Sequence, residues 1–292
     1  MPHAVKPRRS ALYMPASRMG ALEKAKTLPA DVLIFDLEDA VSPDAKETAR
    51  AQAAAAARSG AYGPREIVIR ANGLDTPWGH DDLAAIAGSG ADAALLPKVE
   101  SEATIRQAAA LLDLHGAPAG MAVWAMMETP LAMLRADAIA GAGRRLSALV
   151  MGTSDLAKEL GAAHTRDRLP FITGLGLCLL AARAHGLAVL DGVHLDLADD
   201  EGFAAACRQG AELGFDGKTL IHPRQVDPCN TAFSPDLDAI AEAERIIAAH
   251  AEAEAAGQGV VVVDGRLVEN LHVEMARRTV ALAEAVAARQ GR

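Results

Sequence analysis

The chain has 292 residues, room for one large domain or two ordinary ones at roughly 100–200 residues each. Hydrophobic residues make up 51% and charged residues 23%, which excludes wholesale disorder, while 3% aromatics argue against a platform for stacking single-stranded nucleic acid. With 29 Lys and Arg against 38 Asp and Glu, the net charge of -9 provides no general basic field for nucleic acid or an anionic membrane.

In chain order, short apolar runs predict strands at Ser10–Met14, Val32–Asp36, Ile67–Arg70, Ala93–Leu96, Ala122–Met127, Ala148–Met151, Ala188–Leu190 and Gly217–Ile221. Ala-rich segments of helical period lie between them: Arg18–Thr27, Pro43–Arg58, Asp81–Gly88, Glu102–Leu114, Pro130–Ala138, Ser154–Gly161, Phe171–His185 and Asp200–Leu213. Ser42-Pro43-Asp44 and Ser234-Pro235-Asp236 each read as a Ser N-cap followed by Pro at the first helical position. Gly116, Gly161, Gly186 and Gly214 mark helix ends.

Eight strand–helix alternations predict an α/β fold, a (β/α)8 TIM barrel over residues 1–225. An open doubly wound sheet is the alternative, but no G-x-G-x-x-G opens a helix after the first strand. Residues 226–292 predict a C-terminal helix–hairpin–helix segment, a lid or oligomerisation arm. Its helix spans Asp236–Ala256, a hairpin turns on Asp264-Gly265 between Val260–Val263 and Arg266–Val268, and a last helix starts at Asn270. Cys178, Cys207 and Cys229 are far apart and form no C-x-x-C, which fits a reducing compartment and no thiolate metal site. The short basic stretch Met1–Arg9 is followed by no long apolar region, and no run approaches the roughly 18–20 residues of a membrane span, so a cytoplasmic protein is expected.

A barrel of this kind builds its active site at the C-terminal ends of its strands. Those ends carry Asp36, Glu38 and Asp39; Arg70 and Asn72; Lys98 and Glu100; Glu128; Asp155; Asp191 and Asp196; and His222. Carboxylates converging from separate strands suit a hard divalent cation such as Mg2+, which takes one or two protein carboxylates plus water and substrate oxygens. Glu128 and Asp155 suit that role. The competing reading makes Asp155 a helix-start acid favoured by the dipole and Glu128 a rim ion-pair partner. Arg70 either binds a substrate oxyanion or pairs with an acid such as Glu38. Lys6, Arg8, Arg9, Arg18, Lys24 and Lys26 form a locally basic stretch, either a phosphate-binding patch or solvated surface charge. His222 reads as a hydrogen-bonding residue, and Met121, Met126 and Met127 as core fillers.

Seven segments in order then carry a resemblance: Leu12-Tyr13-Met14-Pro15, Phe35-Asp36-Leu37-Glu38-Asp39-Ala40-Val41, Ile69-Arg70-Ala71-Asn72-Gly73, Leu96-Pro97-Lys98-Val99-Glu100-Ser101, Glu128-Thr129-Pro130, Gly152-Thr153-Ser154-Asp155-Leu156 and Gly214-Phe215-Asp216-Gly217-Lys218 with Ile221-His222-Pro223. Over about residues 8–285 the chain resembles the citrate lyase β-subunit-like CoA ester lyases (malyl-CoA, methylmalyl-CoA and citramalyl-CoA lyases) of the HpcH/HpaI aldolase group. The resemblance implies Mg2+, or Mn2+ in its place, on Glu128 and Asp155, with Arg70 at the substrate carbonyl and enolate. It implies a CoA thioester held near Tyr13, Arg18 and Lys24, and a homotrimer or homohexamer.

Two departures stand out. The first loop reads Pro15-Ala16-Ser17-Arg18, without the Gly common in the family. The lid pattern ends in Glu269 where the family usually has Asp, making Glu269 a candidate acid–base group with one extra methylene. The expected reaction is retro-Claisen cleavage of a β-hydroxyacyl-CoA to acetyl-CoA and a 2-oxo acid. The alternatives are a (3S)-malyl-CoA thioesterase on the same scaffold, a CoA-independent metal-dependent 2-oxo acid aldolase, and a non-catalytic binding protein.

Overall fold

The computed structural model describes residues 6–257 and 259–290. Eight parallel strands close into a barrel: β1 (Ser10–Pro15), β2 (Val32–Asp36), β3 (Glu66–Arg70), β4 (Ala93–Leu96), β5 (Ala122–Met127), β6 (Leu146–Met151), β7 (Ala188–Asp191) and β8 (Gly217–Leu220), with β8 pairing back onto β1. Ten helices surround or follow them: α1 (Met19–Ala25), α2 (Lys46–Arg58), α3 (Gly79–Ala87), α4 (Glu102–Leu114), α5 (Pro130–Leu134), α6 (Ala136–Ala140), α7 (Thr153–Leu160), α8 (Ile172–Ala184), α9 (Asp200–Leu213) and α10 (Val226–Ala232). This is the (β/α)8 architecture that the strand–helix alternation implies.

Alternation along each strand divides the side chains into two cores. Ala11, Ile34, Val68, Leu95, Trp124, Met126, Val150 and Leu190 fill the barrel interior. Leu12, Leu33, Phe35, Ile69, Leu96, Met127 and Leu149 face the helices. Ala11, Ala93 and Ala148 are small enough to leave room for the fully buried Trp124 in so narrow a barrel.

Some local readings are corrected and others hold. The expected helix Pro130–Ala138 is two short helices divided at Arg135, whose backbone leaves the helical region (φ -110, ψ 15). The Arg135 guanidinium there reaches the Glu100 carbonyl at 3.3 Å. Asp236, not Ser234, caps the helix that follows it, accepting the Ala239 N–H at 2.7 Å, and Ser42 makes no side-chain cap hydrogen bond. The four glycines read as helix ends all adopt positive φ. His222 is a hydrogen-bonding residue, its Nδ1 accepting the Arg224 N–H.

The basic N-terminal stretch is not one free patch. Arg8 pairs with Glu66 at 2.7 Å, Arg9 with Asp31 at 2.8 Å and Lys26 with Glu23 at 2.7 Å. Asp191 does not open on the barrel mouth either. It is buried against Lys218 (2.8 Å) and Arg168 (2.6 Å). Burial opposes its ionisation, but the two cations hold its carboxyl below the usual range.

Residues 8–233 form one compact unit, so α10 packs with the barrel, against α9, β1 and β8. A second unit comprises residues 234–290 with residues 6 and 7. It contains α11 (Leu237–Ala255), the antiparallel pair β9 (Val261–Val263) and β10 (Arg266–Val268), and α12 (Asn270–Gln290), which packs on α11. Asp264 and Gly265 both take positive φ (49 and 78), as a two-residue turn between strands requires. The three cysteines are buried free thiols, and among the described residues no helix is long and apolar enough to cross a membrane.

Candidate active site

β2 and β3 pair in register so that Asp36 lies opposite Arg70 at their C-terminal ends. Arg70 grips Asp36 with both edges of its fork, Nε to Oδ1 at 2.7 Å and Nη2 to Oδ2 at 2.6 Å. Its Nη1 meets Glu38 at 2.9 Å and Asp39 at 3.5 Å. The guanidinium carbon lies 4.8 Å from the centre of the Tyr13 ring. Burial opposes the charge on Arg70, yet the charge and hydrogen bonds of Asp36, with Glu38, hold its pKa well above the ordinary value. The ion-pair reading of Arg70 therefore holds, with Asp36 as the stronger partner and Glu38 as the second, and the residue stands at the barrel mouth.

The loop after β2 is pinned from beneath. Asp36 accepts the N–H groups of Glu38 (2.9 Å) and Ala40 (3.1 Å). Lys46 Nζ donates to the carbonyls of Leu37 (2.8 Å) and Glu38 (2.7 Å) and to Asn72 Oδ1 (2.7 Å). Asn72 in turn bonds Leu37 and Asp82. Glu38, fixed this way, has its carboxyl pushed up by burial against the opposing effect of Arg70.

Glu128 follows β5 directly and is buried. Its Oε1 accepts the backbone N–H of Lys98 at 2.7 Å. Lys98 presents that N–H from a left-handed backbone (φ 47) and sends its Nζ to Glu38 at 3.0 Å. Burial, then the neighbouring Asp155 charge, raise the Glu128 carboxyl to about 7, against the Lys98 N–H and Arg70. Asp155 sits in the first turn of α7 and has no ion pair or hydrogen bond among the described residues; nor has Glu128 Oε2.

Tyr13, Asp36, Arg70, Glu128 and Asp155 line one cavity of about 380 Å³, with Met126, Val193, Leu195 and Ile221 on its apolar walls. Burial keeps the Tyr13 phenol raised well above its ordinary pKa, so it is a neutral donor. Arg18 and Lys24 are exposed, lack ion pairs among the described residues and do not line this cavity. Glu269 lies in the second unit, exposed, just before α12. Its N–H donates to His272 Nδ1 at 3.0 Å and its carbonyl accepts the His272 N–H at 2.9 Å.

The donor set fits a hard divalent cation. Two acidic side chains face one cavity, one of them raised by burial and by the charge of the other, and each keeps an oxygen without a hydrogen bond among the described residues. No three His, Cys, Asp or Glu groups converge on a metal position among the described residues. Water and substrate oxygens would complete the shell, as Mg2+ prefers. Gly152 is part of this arrangement, because a Cβ there would collide with Glu128 Cβ and Oε2. Gly152→Ala is accordingly expected to displace the carboxylate and lower turnover by about 10²-fold. Steady-state kinetics, with divalent-ion affinity by calorimetry, checks this; an unimpaired variant would show that Glu128 tolerates displacement.

Asp36, Lys98, Gly152 and Met126 are the site residues that sequence reasoning did not place in these roles. The in-register ends of β2 and β3 could have paired Asp36 with Arg70; nothing in Pro97-Lys98-Val99 signals a left-handed backbone.

A closed parallel barrel with two acids and a paired arginine on one apolar-walled cavity defines a (β/α)8 protein with its site at the C-terminal mouth. The chain belongs to the HpcH/HpaI aldolase/citrate lyase family, which matches residues 9–223. It is 53% identical over 288 residues, 99% of each chain, to a (3S)-malyl-CoA thioesterase of Cereibacter sphaeroides. It is 34% identical over 313 residues, 98% of each, to an L-malyl-CoA/beta-methylmalyl-CoA lyase of the same species. The structure of protein CitE from Mycobacterium tuberculosis in complex with magnesium, acetoacetate and coenzyme A superposes with a TM-score of 0.75 and 31% identity, covering 96% of this chain and 99% of that one.

Proposed function

We propose that this chain hydrolyses the CoA thioester of a β-hydroxy dicarboxylic acid, with malyl-CoA as the substrate to test first, in a divalent-cation-dependent reaction. Water is consumed, the thioester C–S bond breaks, and malate and free CoA leave. The single observation that carries this reading is the 53% identity over 99% of both chains to the (3S)-malyl-CoA thioesterase. The C–C cleavage favoured by the sequence motifs becomes the second reading, supported by the full-length likeness to the malyl-CoA lyase.

Glu128 and Asp155 would hold Mg2+ or Mn2+, which when bound supplies charge for the substrate carboxylate and hydroxyl oxygens. Arg70 places a permanent positive charge beside the reacting carbonyl, and its pairing with Asp36 and Glu38 fixes the guanidinium plane before substrate arrives. Met126, Val193, Leu195 and Ile221 surround the acyl group and limit the water that reaches it. Arg18 and Lys24, exposed and without ion pairs among the described residues, are the proposed partners of the CoA phosphates. Glu269 of a neighbouring copy of the chain is the proposed proton donor to the enolate, a step that only C–C cleavage contains. A homo-oligomer remains part of the proposal.

The test is to incubate the protein with malyl-CoA and Mg2+ and follow thiol release and glyoxylate together. Hydrolysis gives thiol and malate; C–C cleavage gives acetyl-CoA and glyoxylate with no thiol. Neither product, or products unchanged by EDTA, would overturn the metal-dependent thioester reading.

A further inference from the structure

Whichever bond breaks, negative charge develops on the thioester carbonyl oxygen, as a tetrahedral oxyanion in hydrolysis or an enolate in C–C cleavage. Such charge is stabilised by donors already aimed at its position. Most of the Arg70 fork is engaged: Nε and Nη2 are bound to Asp36, and Nη1 faces Glu38.

Two donors in the cavity nevertheless converge on a weak acceptor. Tyr13 Oη lies 3.8 Å from Met126 Sδ, and Arg70 Nη1 lies 3.7 Å from the same sulfur. A thioether accepts hydrogen bonds poorly. Among the described residues Tyr13 Oη has no nitrogen or oxygen partner. The hydroxyl is also held in place. Tyr13 lies on β1, paired with Ile34 of β2, and its ring is stacked by the Arg70 guanidinium. Met126 is the adaptable member, an unbranched side chain on the cavity wall that can repack when a better acceptor arrives.

We propose that Tyr13 is a catalytic residue whose hydroxyl donates a hydrogen bond to the thioester carbonyl oxygen, forming with Arg70 Nη1 a two-donor oxyanion hole that the Met126 sulfur fills in the free protein. The phenol keeps its proton throughout. The assignment rests on the CoA-thioester reading above, but holds for hydrolysis and for C–C cleavage alike.

The test is Tyr13→Phe, which keeps the ring and its stack and removes only the hydroxyl. With malyl-CoA and Mg2+, kcat is expected to fall by about 10²-fold, with KM changed by less than about threefold. A second measurement separates this from a structural role. An inert malyl-CoA analogue with a methylene in place of the thioester carbonyl should bind wild type and variant equally, because it lacks the oxygen. A Tyr13→Phe variant with wild-type kcat, or one whose analogue binding falls as far as its kcat, overturns the assignment alone. A wild-type protein that turns over no CoA thioester overturns the functional reading, and this assignment with it.

Discussion

Glu128→Gln is expected to lower turnover by about 10³-fold while making the metal-free protein more stable above pH 7. The two effects share one cause. In the folded chain burial raises the Glu128 carboxyl from its ordinary 4.5 to about 7. Below pH 4.5 the group is protonated in folded and unfolded chains alike, and no penalty exists. Between pH 4.5 and 7 the unfolded chain gives up a proton that the folded chain keeps, so stability falls as pH rises. Above pH 7 the full penalty, about 3 kcal/mol at most, persists. Gln removes the charge and still offers an oxygen to the Lys98 N–H. Mg2+ at about a thousand times its Kd reverses the order, since an ion that binds only the folded state then stabilises it by about 4.1 kcal/mol, more than the penalty. Thermal melts at pH 8 with EDTA and with excess Mg2+ check the pair of effects. A Glu128→Gln variant that still gains Tm from Mg2+ and still turns over substrate would remove this carboxylate from the metal site.

How much of this was legible in the sequence follows from how far apart the cooperating residues lie. The barrel was, because the alternation of apolar runs and Ala-rich helices is local and repeats along the chain. Arg70, Glu128 and Asp155 were nameable as strand-end residues, and the family motifs placed them in one mouth. Their partners were less accessible. Asp36 is 34 residues from Arg70 and meets it only through the β2–β3 register. Arg8 and Arg9 read as free cations because their acids, Glu66 and Asp31, come 58 and 22 residues later. Lys98 was opaque for another reason: positive φ is usually announced by Gly or Asn, and here a Lys adopts it to aim one N–H at Glu128. Asp191 ends a strand like the other acids, but its neighbour Leu190 takes the interior position, so Asp191 faces the helix layer and its salt bridges.

The Arg70 cluster gives the other large expected effect, on stability as much as on catalysis. Arg70→Met should leave Asp36, only 1% exposed, and Glu38 without the cation that balances them. Stranding buried charge in this way costs about 3–5 kcal/mol, a fall in Tm on the order of 10 °C for a domain of this size. The loss should shrink as pH falls, because Glu38, which burial already pushes up, takes a proton more readily once Arg70 no longer opposes it. Arg70→Lys restores a charge without the planar fork, so it should recover part of the Tm and little turnover. The double variant Asp36→Asn with Arg70→Met removes both sides of the strongest pair. It should regain much of the Tm lost by Arg70→Met, since deleting a whole buried pair is far milder than deleting half of it. Its turnover should stay at least about 10²-fold below wild type, because no positive charge then faces the developing oxyanion. If turnover returns along with Tm in the double variant, Arg70 is a structural residue, and the charge stabilisation assigned to it must come from elsewhere in the cavity.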